Sequence, residues 1–264
     1  MNRPLCVLTG ATGGIGQAVA LKLIQHGWRL LLVGRQQAQL EALQVKCGQD
    51  CEIFIGDLTS AQTRQKLLAH AKSLGGATML INNAGINVMQ GFSEMTEQQI
   101  DDLLIVNLSV PIKLCQLFLP QILAKKGSIV NVGSSFGSIG YPYQTLYCAS
   151  KFGLRGMTEA LARELSHCDV KILYLAPRAT DTNINSVQVR AMNKALGNTM
   201  DPPDKVSDAL ISLLKSGNSR SYIGFPERLF VKLNGAFPSL VDNAIAKQLP
   251  KIKSFFADKI DKGE

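Results

Sequence analysis

Between Leu5 and Ala176 six short apolar runs alternate with five segments of helical spacing, and an alternating α/β layer is the fold class that uses such a chain. The runs are Leu5–Leu8, Arg29–Val33, Glu52–Ile55, Thr78–Ile81, Ser128–Val132 and Val170–Ala176. Helical stretches follow at Gln17–His26, Gln36–Lys46, Ala61–Leu74, Glu97–Leu123 and from Tyr147 to about Ser166. The first run is apolar at every position, as a parallel strand covered on both faces is. This order predicts a doubly wound parallel sheet in one domain over residues 1–224, with a helical extension at 225–264. In such sheets ligands bind at the C-terminal strand ends, where Gly10, Asp57, Asn82, Ser134 and Pro177 fall.

The first strand runs into Thr9-Gly10-Ala11-Thr12-Gly13-Gly14-Ile15-Gly16, and a helix follows. Glycines there permit a tight turn and let main-chain N–H groups approach a pyrophosphate at the helix N-terminus, the Rossmann-type arrangement. The spacing is Gly-x-x-x-Gly-x-Gly. A glycine turn without a ligand is the plain alternative, but the position between first strand and first helix favours a nucleotide. No acidic residue stands at the end of the second strand to take a ribose 2′-hydroxyl. Arg35 stands there instead, placed for a 2′-phosphate, so NADP(H) is expected rather than NAD(H). A solvated arginine is the plain alternative. Asp57 either accepts from an adenine amino group or caps the next helix. Asn82-Asn83-Ala84-Gly85 offers amides and small residues where backbone lies against a cofactor.

Tyr147 and Lys151 are four apart on one helix and project from one face. A lysine cation beside a phenol favours the phenolate and draws its pKa toward the working range. Ser134 lies thirteen positions upstream, directly after a strand, so its hydroxyl and the phenol can meet at one substrate oxygen. Asn107, with Pro111 one turn later, marks a kink in the long helix Glu97–Leu123.

With these motifs in this order, the chain resembles the short-chain dehydrogenase/reductase family over roughly residues 4–224. The resemblance implies a pyrophosphate turn of Thr9, Gly10, Gly14, Ile15 and Gly16, with Arg35 on the 2′-phosphate and Asp57 and Leu58 at the adenine. It places Asn83, Ala84 and Gly85 along the ribose and sheet centre, and Pro177 and Thr182 beside the cofactor. Tyr147 is implied as general acid/base and Ser134 as the hydroxyl that polarises the carbonyl, with Ser135 as the fallback. Lys151 would lower the Tyr147 pKa and hold the nicotinamide ribose, and Asn107 would hold a relay water. Homo-dimers or tetramers through the helices around Asn107 and Tyr147 are also implied. One position departs from the family pattern: Arg178 stands where Pro-Gly is usual. Either it carries backbone strain or its guanidinium reaches an anionic substrate group or cofactor phosphate.

The formal charge of +8 is dispersed, with no basic run interleaved with aromatics, so nucleic acid is not an expected partner. Six scattered cysteines read as reduced core thiols, Cys47-x-x-x-Cys51 lacks partners for a metal site, and none is expected. The N-terminus leaves no room for a signal peptide, and no apolar stretch is read as approaching the length of a membrane helix; a cytoplasmic protein is expected. Residues 183–200 fall where the resemblance implies a substrate lid, with Val187, Met192 and Leu196 as candidate inward contacts, and Tyr141 and Tyr143 read as substrate wall or surface turn. The extension mixes aromatics, aliphatics and lysines, as a substrate cover, an oligomer interface or a basic amphipathic segment on a membrane surface. The expected activity is NADP(H)-dependent interconversion of a carbonyl and an alcohol, in the direction of reduction, on a hydrophobic, lipid-like ketone or aldehyde. A non-catalytic nucleotide sensor or scaffold on the same fold is the alternative. No Gly-x-Ser-x-Gly occurs, and His26, His70 and His167 show no placement beside a nucleophile serine, which argues against a hydrolase.

Overall fold

A computed structural model describes residues 3–182 and 184–256, so Asn183 of the lid and residues 257–264 of the extension lie outside the described residues. Seven parallel strands form one sheet: β1 (Leu5–Thr9), β2 (Arg29–Gly34), β3 (Cys51–Ile55), β4 (Met79–Asn82), β5 (Ser128–Val132), β6 (Lys171–Ala176) and β7 (Arg220–Tyr222). Their order is β3-β2-β1-β4-β5-β6-β7. Val7 pairs with Leu31 on one side and Leu80 on the other, so the chain winds outward in both directions from β1. The C-terminal ends of β1 and β4 therefore flank the switch point, where an open α/β sheet leaves a crevice. The three-residue edge strand β7 goes beyond the six strands legible in sequence.

Helices cover both faces: α1 (Gly14–Gln25), α2 (Gln37–Cys47) and α8 (Pro203–Lys215) on one, α3 (Ala61–Ser73), α5 (Val110–Ala124) and α6 (Thr145–Glu164) on the other. Alternate residues of each strand feed opposite clusters, Cys6 and Leu8 into one and Leu5 and Val7 into the other. Helix starts follow local capping chemistry. Ser60 caps α3 through the Thr63 N–H, and Thr96 with Gln99 forms a capping box at α4 (Glu97–Leu104). All six cysteines are free thiols, five of them buried.

The long helical region after β4 is one rod, Glu97–Ala124, broken by a π turn at Ile105–Ser109 with Asn107 inside it. The expected kink is therefore a π segment. The rod corrects one expectation, since its 28 residues, with an 18-residue window of mean hydropathy 1.7, do meet the length and composition of a membrane helix. One apolar face packs into the core, with Leu103, Leu114, Phe118 and Ile122 fully buried, while Ile105, Ile112 and Leu123 stay exposed.

After β6 come α7 (Val187–Ala195), capped by Ser186, then α8, β7, α9 (Glu227–Ala236) and α10 (Pro238–Lys253). Met192 of the lid helix is buried as expected. Val187 points the other way, 84% exposed. The α9–α10 hairpin lies against the site side of the sheet: Asn234 donates to the Ser138 carbonyl, and Phe256 stacks on Tyr143 at 4.8 Å.

Candidate active site

The glycine loop is built by close approach. Gly10 has φ +62°, and a Cβ there would lie 2.7 Å from Ala84 Cα; a Cβ on Gly16 would strike the Gly10 carbonyl. Thr9 sits beneath, tying β1 to β4: its hydroxyl donates to the Ile81 carbonyl and accepts from the Asn83 and Ala84 N–H groups at 3.0 and 3.1 Å. Asn83 in turn donates to the Thr9 and Gly10 carbonyls. The N-cap of α1 is Gly13, with no side-chain cap and no acid in the first turn. Those first N–H groups and the helix dipole are open to an anion.

From this turn a crevice of about 620 Å³ runs along the strand ends. Of the sequence-predicted cofactor residues, Gly10, Gly14, Ile15, Gly16, Arg35, Asp57, Leu58, Asn83, Ala84, Gly85 and Thr182 line it. Thr9, Tyr147, Lys151 and Pro177 do not. Arg35 is exposed and, among the described residues, forms no ion pair, which leaves its guanidinium available. Asp57 accepts from the Thr59 N–H at 3.0 Å, and that bond, with the Arg35 guanidinium adding to it, holds its carboxyl below the usual range. Since Ser60 caps α3, the capping alternative for Asp57 falls away.

At the far end of the crevice, a Cβ on Gly85 would lie 3.3 Å from Asn107 Oδ1 and 3.8 Å from Lys151 Nζ, so the crevice meets the predicted catalytic residues there. Asn107 is fully buried, and its amide accepts from and donates to the Ile86 main chain, both at 2.8 Å. Lys151, 5% exposed, donates to the Val132 carbonyl at 3.0 Å and lies 5.6 Å from the Tyr147 ring centre. Ser134 Oγ accepts from the Phe136 N–H at 3.2 Å, leaving its own proton to donate. Phe136 packs edge-on to Tyr147 and stacks on Tyr141 at 4.9 Å.

Electrostatics correct one expectation. Packing around the Tyr147 phenol pushes its pKa up to about 12, with the Ser134 hydroxyl pulling the other way. Lys151 is lowered to about 8 by burial. In the protein alone, desolvation outweighs any help the phenol takes from its lysine neighbour.

Arg178 fits neither expectation held for it. Its φ is not positive, so the backbone is unstrained, and its guanidinium is taken up by Asp201 and Glu227 rather than open to an anion. Tyr143 has φ +64° and is covered by Phe256, while the Tyr141 hydroxyl is buried without a hydrogen-bond partner.

Several residues that place the site were missed from sequence. Tyr174, fully buried on β6, bonds both the Ser134 N–H and carbonyl at 3.4 and 3.3 Å, and side chains at Gly133 or Gly137 would collide with it. Under the floor, Asn82 donates to Asn131, Asn131 to Thr158, and Thr158 to the Leu154 carbonyl, linking β4, β5 and α6. Only a polar residue inside an apolar run hinted at this chain of bonds.

The model of the short chain dehydrogenase family matches residues 5–193. A 3-oxoacyl-(acyl-carrier-protein) reductase of Haemophilus influenzae is 30% identical over 189 residues, 71% of this chain and 78% of its own length. Among solved structures, a metagenomic short-chain oxidoreductase in complex with NADP has a TM-score of 0.71 at 28% identity, covering 83% of this chain and 96% of that one. A short-chain dehydrogenase from Streptomyces avermitilis, at 24% identity, shares the fold over 96% of this chain and 97% of its own, with a TM-score of 0.80. Motif order, sheet topology and these matches agree: the chain belongs to the short-chain dehydrogenase family of oxidoreductases.

Proposed function

We propose that the protein is an NADP(H)-dependent reductase of a hydrophobic ketone or aldehyde. The observation that carries this is the course of the crevice, from Arg35 and Asp57, past the uncapped N-terminus of α1, to Gly85 beside Lys151 and Asn107. Arg35 at the end of β2, with no acid in its place, suits a 2′-phosphate. The related structure in complex with NADP supports the same choice.

When bound, the nicotinamide would supply the hydride. The chain's own groups handle the proton. Ser134 donates to the carbonyl oxygen, and Tyr147 delivers its proton there as charge develops. Lys151 would hold the ribose and steady the phenolate that Tyr147 becomes once its proton has gone. The amide of Asn107 is taken up by Ile86, so a relay water would rest on the main chain of the π turn.

Phe136, Tyr141 and the lid's Met192 favour an apolar substrate, as does the roof formed by Phe256 on Tyr143. The Haemophilus relative, a reductase of 3-oxoacyl groups, supports a ketone in an acyl chain. Exposed Ile105, Ile112, Leu123 and Phe152 along the rod and α6 favour a homo-dimer or tetramer through those helices. We place the protein in the cytoplasm, with peripheral membrane contact through α9 and α10.

Calorimetry with NADPH and NADH on the wild type and Arg35→Ala tests the core of this reading. NADPH should bind tighter than NADH, and Arg35→Ala should remove about tenfold or more of the NADPH affinity while sparing NADH. Binding of neither nucleotide would overturn the oxidoreductase assignment of this crevice and leave a scaffold role in its place.

A further inference from the structure

We infer that Arg178 is a positioning residue that fastens the C-terminal hairpin to the base of the lid, making α9 part of the element that closes over the site. The family pattern has glycine at this position, and an arginine there must do something a glycine does not. Its side chain is 11% exposed. Nε and Nη2 donate to Asp201 Oδ2 and Oδ1 at 2.8 and 2.7 Å, a bidentate fork. The remaining arm, Nη1, donates to Glu227 Oε2 at 3.2 Å and the Phe225 carbonyl at 3.3 Å. One guanidinium therefore joins residues 23 and 49 positions away.

Its two partners belong to different elements. Asp201 closes the lid: its N–H donates to the Ala179 carbonyl, and its carbonyl accepts from the Asp181 N–H, at 2.8 and 2.9 Å. The carboxylate is nearly fully buried and also takes Lys205 at 2.9 Å. Thr182, one residue on from this closure, lies over the glycine turn, where a Cβ on Gly14 would come 2.7 Å from its methyl group. Arg190 of the lid helix donates to the Thr182 carbonyl at 2.9 Å. Glu227 opens α9. At the other end of the hairpin Lys251 reaches the Ala195 carbonyl, the C-terminus of the lid helix. The hairpin thus meets the lid twice, and Arg178 is its link at the cofactor end.

Gly224 completes the device. It has φ +96°, and a Cβ there would lie 2.5 Å from Arg178 Cδ and 3.0 Å from Glu227 Oε2, so a side chain would displace the fork. A lysine cannot replace the arginine, because three N–H groups on one nitrogen cannot reach the positions on two carboxylates and a carbonyl that three guanidinium nitrogens reach.

The inference rests on the nucleotide reading only through Thr182, and hydrogen–deuterium exchange of the full chain separates the two. Without cofactor, Arg178→Gly should speed exchange about tenfold in both 187–195 and 228–236, leaving the β1–α1 region unchanged. Glu227→Gln should loosen 228–236 alone, and Arg178→Lys should keep the lid base and release α9. Bound NADPH should slow exchange in 228–236 of the wild type but not of Arg178→Gly, while still protecting the glycine turn in both. Unchanged exchange at 228–236 in Arg178→Gly, or a uniform rise across the sheet, would overturn the inference. If Arg178→Gly fails to fold, Glu227→Gln decides on the same segments. If NADPH protects nothing in the wild type, the nucleotide reading falls, and the cofactor-free comparison still decides the clamp.

Discussion

Lys151 is buried and Tyr147 half-buried beside it, and desolvation moves them in opposite senses on the pH axis. Lys151 drops from 10.5 to about 8, so between those values the unfolded chain binds more protons than the folded one. Stability contributed by this group therefore rises with pH across that window, by at most about 3 kcal/mol in total. Tyr147, raised from 10.0 to about 12, works the other way at higher pH: the folded state keeps a proton the unfolded one loses, and stability falls. Lys151→Met should thus be more stable than the wild type near pH 7, with the difference shrinking steadily toward pH 10, as read from urea unfolding at several pH values. A constant difference would show that Lys151 is not held in a desolvating site. Both residues were legible in sequence because four positions on a helix fix their shared face. The partners of Arg178 were not, since residues 23 and 49 positions away meet it only through the fold. Tyr174 hid inside an apolar strand for the same reason. Tyr174→Phe should cost about 1–2 kcal/mol and loosen the Ser134 loop, measured by unfolding and by exchange of the Ser134 amide.

At the scale of elements, the glycine turn and the π turn are the two places where local geometry makes the site. Gly10 needs both its positive φ and the missing Cβ, so Gly10→Ala should lower the melting temperature and weaken nucleotide binding together. Asn107 holds Ile86 by a reciprocal pair of bonds, and Asn107→Ala leaves a main-chain N–H and carbonyl without partners. That should cost about 2–4 kcal/mol and speed exchange of the Ile86 amide selectively. An unaltered Ile86 amide would mean that another group fixes this loop. The six main strands and their helices were legible because each apolar run is long enough to show itself. β7 was not, because Arg220-Ser221-Tyr222 is short and polar and pairs only at the edge of β6. The π turn was legible as a kink but not in kind, since Asn107 and Pro111 mark the place without fixing which hydrogen bonds shift.

At the scale of the whole molecule, the hairpin presents two faces with different duties. Its inner face is committed to the site through Glu227, Asn234 and Phe256. On the outside, Phe225, Leu229, Phe237 and Leu240 are 46–75% exposed, and no residue of α9 is fully buried. Over its length the hairpin carries Arg228, Lys232, Lys247, Lys251 and Lys253 against Glu227 and Asp242. Exposed apolar groups on a net basic hairpin suit the interface of an anionic bilayer, where each cation near the surface adds about 1 kcal/mol at low salt. Vesicles containing phosphatidylserine should sediment the full chain at low salt, lose it as salt rises, and fail to hold a Leu229→Ser/Phe237→Ser variant. Neutral vesicles should bind it weakly at any salt. If neither vesicle binds and the same double substitution instead converts a dimer to a monomer, the outer face of the hairpin is an interface between copies of this chain, and the membrane reading is wrong.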